Sequence, residues 1–235
     1  KWWLTSENIT ENGMYGQKGI LYNETIWHAF WGTLKVSVAC SLLAGTIGTM
    51  IGYAVSKNRR SKWANYVNSV AFLPYLMPSI AVGVAFFILF STEKMNLFNT
   101  YTLLIIVGTI KYIPFASRSS LNSMLQLSGE IEEAAIIQDI PWHKRMLNII
   151  IPIQKSSIMS GYLLPFITCV RELTLFMLLC SQTKIITTML DYFDEMGLYA
   201  FSSGINLILI VFILICNALI NKLTGASLDK GIGGE

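Results

Sequence analysis

Few side chains in these 235 residues have types and spacings that could do chemistry, and the arrangement rules most of that chemistry out. The two histidines, His28 and His143, lie far apart, and no His-Glu-x-x-His pattern pairs metal ligands with a general base. Cys40, Cys169, Cys180 and Cys216 all fall in apolar runs without the close pairing of a zinc or redox site, so they read as small buried hydrophobes. No Gly-x-x-x-x-Gly-Lys-Ser/Thr loop is present to cradle phosphates, so ATP hydrolysis by this chain has no support. No catalytic, cofactor-binding or metal-binding residue is expected. Two polar sites remain. The block from Glu130 to Pro152 is amphipathic, and its chemistry is recognition of something outside lipid. Arg171 and Glu172 are adjacent opposite charges, costly in hydrocarbon unless paired or hydrated. They form either an ion pair at the outer interface or part of a path for a polar solute.

The elements that must position these sites are apolar. With 53% hydrophobic and 13% charged residues, the chain has about half the charge of an average soluble domain, which makes it a membrane protein. The net charge of +3 is too small to suggest nucleic acid. Uncharged or nearly uncharged runs at about 36–56, 66–90, 97–116, 149–170 and 200–220 are long enough to cross a bilayer as helices. In the first, Ser37, Ser41 and Gly45 recur every four residues, as do Ala44, Gly48 and Gly52, predicting close approach of another helix. Pro74 and Pro78 interrupt the second, either as a packing kink or because that helix lines a cavity. Lys111, near the inner end of the third, has a stem long enough to snorkel. Leu173 to Cys180 is too short to cross and reads as a re-entrant or half-helix segment, and Lys184 to Gly197 reads as a polar connection.

Lys57, Arg59, Arg60 and Lys62 mark the first loop as cytoplasmic. That places the N-terminal segment 1–25 outside, touching the membrane face through Trp2, Trp3, Tyr15 and Tyr22. The polar block and the 223–235 tail lie inside. Lys and Arg are then ten inside and five outside, in agreement with the positive-inside bias. An exported N-terminus without a leader implies a preceding transmembrane helix, so the chain is expected to be a piece of a longer protein, such as the second half of a fused chain.

Within the block, Ser128 is placed to cap a helix whose first turns carry Glu130, Glu132 and Glu133, where carboxylates favour the positive end of the helix dipole. Ile131, Ala134 and Ala135 share a small apolar face. Asp139 ends the helix, and a second short helix begins near Pro141. Physics alone leaves two readings open, an amphipathic linker resting on headgroups and a docking element.

The spacing Glu133, Ala134, Ala135, then Asp139, then Ile149, Ile151 and Pro152 resembles the cytoplasmic signature of the permease subunits of binding-protein-dependent ABC importers. Asp139 stands where that signature has Gly, and Ile151 where it has Leu. The resemblance runs from about Thr33 to Lys222 and implies an all-α, polytopic transmembrane bundle, the type I importer permease core of the methionine-importer-like family. It also implies that the 129–148 region is a coupling helix docking on a separate ATPase subunit through Glu133, Ala134, Ala135, Asp139, Pro141, Trp142 and Pro152. The further partners implied are an extracytoplasmic solute-binding protein and a second permease half, with lipid around the spans in the plasma or inner membrane. Arg171-Glu172-Leu173-Thr174, a short apolar run and a polar loop before the last helix look like the permeases of ferric iron importers and of their thiamine, sulfate and polyamine relatives, which favours Arg171 and Glu172 as path residues; Pro74 and Pro78 are path candidates through the cavity reading above. The expected function is therefore ATP-driven import of a small solute, with iron(III) as the first guess. The alternatives are a membrane scaffold or receptor bundle without transport, and an ion-coupled secondary transporter. The second would call for acidic residues at mid-membrane, which the five spans lack.

Overall fold

A computed structural model describes residues 3–7, 18–91, 97–181 and 184–224. The expectations for Trp2, Tyr15 and the tail beyond 224 lie outside the described residues. All regular secondary structure among the described residues is helical.

Helix α1 (Glu24–Lys57) begins well before the uncharged run at Val36. Asn23 caps it, its side-chain oxygen accepting from Thr25 N at 3.1 Å and Ile26 N at 3.4 Å. The first turns are amphipathic, with Ile26, Ala29 and Phe30 buried and Glu24 and His28 exposed, so charge did not end the helix there. The expected span 66–90 is two helices, α2 (Lys62–Leu76) and α3 (Ser79–Phe90). Met77 and Pro78 leave helical geometry with ψ 131° and 138°. Pro78 has no N–H to offer the Pro74 carbonyl. Lys111 fills that gap, its ammonium donating to the Pro74 carbonyl at 3.0 Å and also to the Met77 carbonyl. Expected to snorkel, Lys111 instead satisfies backbone groups freed by the break.

Helix α4 (Tyr101–Gln126) begins inside the third expected run and continues past its end at 116. The block follows as α5 (Gly129–Ile137) and α6 (Trp142–Arg145), then a π turn at Met146–Ile150, α7 (Ile151–Ile153) and α8 (Lys155–Val170). The expected half-helix is a single turn, α9 (Thr174–Met177). Lys184 to Gly197, read as a polar connection, is largely helix α10 (Ile186–Glu195), with Ile186, Met189 and Phe193 buried at helical spacing. Its carboxylates Asp194 and Glu195 lie on the exposed side. Helix α11 (Tyr199–Thr224) closes the described chain. Among the described helices, α1 and α11 each have the length and apolarity to cross a membrane alone.

The residues cluster into two units. One is Lys1–Ala39, Pro78–Val107 and Cys169–Cys216; the other is Cys40–Met77, Gly108–Thr168 and Asn217–Glu235. In the second, the small residues of α1 meet α4 as expected. A Cβ at Gly48 would stand 2.7 Å from Ser117 N, and one at Gly52 2.7 Å from Leu121 N, so the helices approach to backbone contact. Ser120 donates to Thr49 O across the same contact at 3.3 Å. Met124, Met146, Ile150 and Ile158 form an apolar cluster there, with Tyr53 and Tyr162 against it. In the first unit, Ile186 N donates to Thr33 Oγ1 at 2.8 Å, and Phe30 packs edge-on against Phe212.

Candidate functional site

The block is punctuated as its residues dictate. Ser128 Oγ accepts from Glu130 N at 3.3 Å and starts α5. Asp139 ends it in the left-handed region, φ 54°. Asp139 N donates to Ile136 O at 2.9 Å and Ile140 N to Ala135 O at 3.1 Å, the paired bonds of a helix stop usually built on Gly. Asp thus does what the signature's Gly does, because it tolerates this conformation better than most side chains. Pro141, φ −65°, stands at the N-cap of α6. The π turn precedes Pro152, whose ring disfavours an ordinary turn and removes one donor. Ile151 N reaches back to Met146 O instead.

The face of α5 turned into the protein is Glu132 and Ala135, which are 7% and 4% exposed. The expectation that Ile131, Ala134 and Ala135 form one outward face is corrected: Ile131 and Ala134 are exposed, and Ala135 is not. Glu133 is also exposed, beside Ile136, and Ile137 is 83% exposed; Trp142, at 46%, continues this surface on α6. Ile131, Ile136, Ile137 and Trp142 together leave apolar surface exposed on the block, and it is such a group rather than any single residue that marks a contact surface.

Glu132, which the sequence reading assigned only to the helix dipole, is the electrostatic centre of the block. Tyr53 of α1 donates to its Oε1 at 2.5 Å, and the Lys57 ammonium pairs with Oε2. Trp142 packs near the Tyr53 ring with centroids 6.3 Å apart, so α5 and α6 meet the same α1 side chain. Burial by itself would push the Glu132 carboxyl up, but the bonds from Lys57 and Tyr53, with the charges of Lys57 and Arg145, hold it below its ordinary value. A lowered carboxylate stabilises the fold above the ordinary carboxylate range and loses that contribution only as pH falls through the lowered value. The Glu132 carboxyl is therefore ionised at neutral pH. The available signal was the i, i+3 relation of Glu132 to Ala135, which puts both on one face.

The other polar site is built differently. Glu172 Oε1 accepts from Leu175 N at 3.0 Å, capping the single turn α9, and Glu172 O accepts from Thr187 Oγ1 at 2.8 Å. Its carboxylate is thus engaged with the backbone of its own segment. Arg171 is exposed and lines a cavity of about 310 Å³ with Thr187 and Asn206, the remaining walls being Leu and Ile side chains. Pro74 and Pro78 lie at the α2–α3 break described above. Glu133, Ala134, Ala135, Asp139, Pro141 and Trp142 are gathered in one helix-turn-helix, with Pro152 following the π turn.

Comparison with known proteins agrees with this architecture. The family described as binding-protein-dependent transport system inner membrane component matches residues 44–227. The molybdate/tungstate transport system permease protein WtpB of Pyrococcus abyssi is 23% identical over 77% of this chain and 71% of its own length. The putative 2-aminoethylphosphonate transport system permease protein PhnV of Salmonella typhimurium is 23% identical over 63% of this chain, which spans about half of that relative, 55%. The fold is similar to that of the MetNI methionine ABC transporter in inward-facing conformations, with TM-score 0.74 at 14% identity, covering 85% of this chain and 94% of that one. The iron(III) expectation finds no support among these relatives. With a family match over most of the sequence and a type I importer permease fold, the chain belongs to the inner membrane components of binding-protein-dependent transport systems.

Proposed function

We propose that this chain is the membrane subunit of an ATP-driven importer whose energy comes from a separate ATPase docking on the exposed side of α5 and α6. The observation that carries this reading is Ile137, 83% exposed on a helix whose opposite face is locked by Glu132. An amphipathic linker resting on headgroups would also bury such a residue, but the family match favours a protein partner. Glu133, Ala134, Ile136 and Trp142 complete the docking surface. Ala135, Asp139, Pro141 and Pro152 shape it, Ala135 by packing inward, and the others by setting the turns. A scaffold without transport and an ion-coupled transporter are both disfavoured by membership of a transport family that depends on a binding protein. The same membership calls for an extracytoplasmic solute-binding protein and a second permease half. The topology that fits has the block inside and the N-terminal segment of this chain outside.

The solute we propose is a small oxyanion or phosphonate rather than iron(III). The reported permease relatives carry molybdate/tungstate or 2-aminoethylphosphonate in their names, and Arg171 is a permanent cation lining the cavity beside Thr187 and Asn206. A guanidinium attracts an oxyanion and repels a trivalent cation. Arg171 is the proposed path residue, with Glu172 holding the segment that presents it and Pro74 and Pro78 shaping the helix break. To test this, the chain is co-expressed with its ATPase subunit and binding protein, and labelled molybdate, 2-aminoethylphosphonate and ferric citrate are offered in turn. ATP-dependent uptake of an anion, together with loss of the ATPase from membranes bearing Ile137→Glu at normal permease level, is the expected result. Retention of the ATPase by Ile137→Glu would overturn the docking surface, and uptake of iron alone would overturn the solute assignment.

A further inference from the structure

The docking reading leaves open how a push on a nine-residue helix reaches the membrane helices. Apolar contacts resist separation but resist sliding poorly, because one apolar neighbour serves nearly as well as another. A buried carboxylate with a fixed hydrogen-bond geometry differs: moving it away from its partners strands its charge in a low-dielectric setting. Among the described residues the carboxylate placed to act on α5 in this way is Glu132, buried itself and paired with Lys57, whose side chain is a third exposed. The carboxylate is held at both oxygens, by the Lys57 ammonium and by the Tyr53 hydroxyl, so it can neither translate nor rotate freely. Lys57 is the last residue of α1, and Tyr53 lies one turn earlier. The Tyr53 ring also meets Trp142 of α6, so both helices of the block bear on the same turn of α1. Tyr53 and Glu132 are 79 residues apart in sequence, so the contact bypasses the long covalent route between α1 and α5.

We infer that Glu132, Lys57 and Tyr53 form a rigid joint through which displacement of α5 and α6 by the docked ATPase is delivered to α1. The inference rests on the docking reading above. In it, Glu132 is a positioning residue: it faces away from the partner and acts through α1. The Glu132→Gln variant keeps the shape and the acceptor for Tyr53 but removes the charge, leaving Lys57 without its counter-ion. A purely structural role would lower the amount of folded protein; a joint makes α1 unresponsive while the ATPase stays bound.

The test uses the chain co-expressed with its ATPase subunit in inverted membrane vesicles, with the four native cysteines replaced and a single Leu43→Cys reporter on the exposed face of α1. Maleimide labelling of the reporter is timed with and without ATP. In the parent, ATP changes the labelling rate. In Glu132→Gln the ATPase is retained, but the ATP-dependent change shrinks by about ten-fold, the size of a typical coupling between sites. In the charge-reversed pair Lys57→Glu with Glu132→Lys the change returns. Glu132→Gln responding like the parent, or the reversed pair responding no better than Glu132→Gln, would overturn the joint alone. A parent that does not respond to ATP overturns the docking reading, and the joint with it. If Glu132→Gln fails to accumulate, the reversed pair decides, since the joint requires it both to accumulate and to respond.

Discussion

Glu132, in the polar block, and Glu172, between apolar runs, are carboxylates that the protein satisfies by different means. Glu172 turns back on its own segment and caps α9 through Leu175 N, three residues away. Glu132 finds its partners on α1, with Tyr53 bonded to one oxygen and Lys57 paired with the other. A local cap stabilises one turn and leaves that turn free to move as a unit. A long-range pair ties two elements together, so movement of either is felt by both. The block is thus tied to α1, whereas the Arg171 segment holds its own shape, with Arg171 exposed at the cavity.

The largest effect is expected on the inward face of the block. At 4% exposure Ala135 has no room for an indole, so Ala135→Trp should destabilise the chain by about 3 kcal/mol or more and deplete it from the membrane. Ala134→Trp, one residue away but outward, should accumulate normally and lose the ATPase. Membrane yield and co-purification separate the two, and normal accumulation of Ala135→Trp would break the division of the helix into an inner and an outer face. A smaller effect is expected at the local cap: Glu172→Ala should lower thermal stability in detergent by about 1 kcal/mol, whereas Glu172→Gln, still an acceptor, should lose far less. Equal losses would show that charge, not the cap, matters at Glu172. A fall in uptake by Glu172→Gln at unchanged stability would add a path role to the structural one. The smallest effect is a gain. Asp139 holds φ 54°, so Asp139→Gly should raise the melting temperature modestly, by less than about 1 kcal/mol in stability, while Asp139→Val should lower it. A loss on going to Gly would mean that the Asp139 side chain itself is needed at the turn.

Much of the local structure was legible. Ser128 as cap, Asp139 as stop and Pro141 at the head of the next helix follow from side-chain and backbone preferences that act within a few residues. The glycine face of α1 was legible too, because only small residues recur there every four positions and only they admit the α4 backbone. The misreadings share a cause. Runs free of charge were taken as the limits of elements, so the amphipathic start of α1 and nearly all of α10 were passed over, although both show helical spacing of apolar residues. The second run was read as one span interrupted at Pro74 and Pro78, whereas the Pro74 carbonyl loses its donor there and the helix breaks into two.

From sequence alone came the helical class, the membrane setting, the signature of the block and its caps, since hydropathy and short-range backbone preference need no knowledge of distant residues. Tertiary structure alone decided that Lys111 serves the freed carbonyls of the α2–α3 break, that Ala135 faces inward while Ile137 faces out, and that Glu132 rather than Glu133 is the carboxylate held by α1. Neighbouring glutamates on one helix are equivalent to any short-range rule. They differ only in direction, and the direction of a side chain acquires meaning when another helix, 79 residues earlier in sequence at Tyr53, is packed against it.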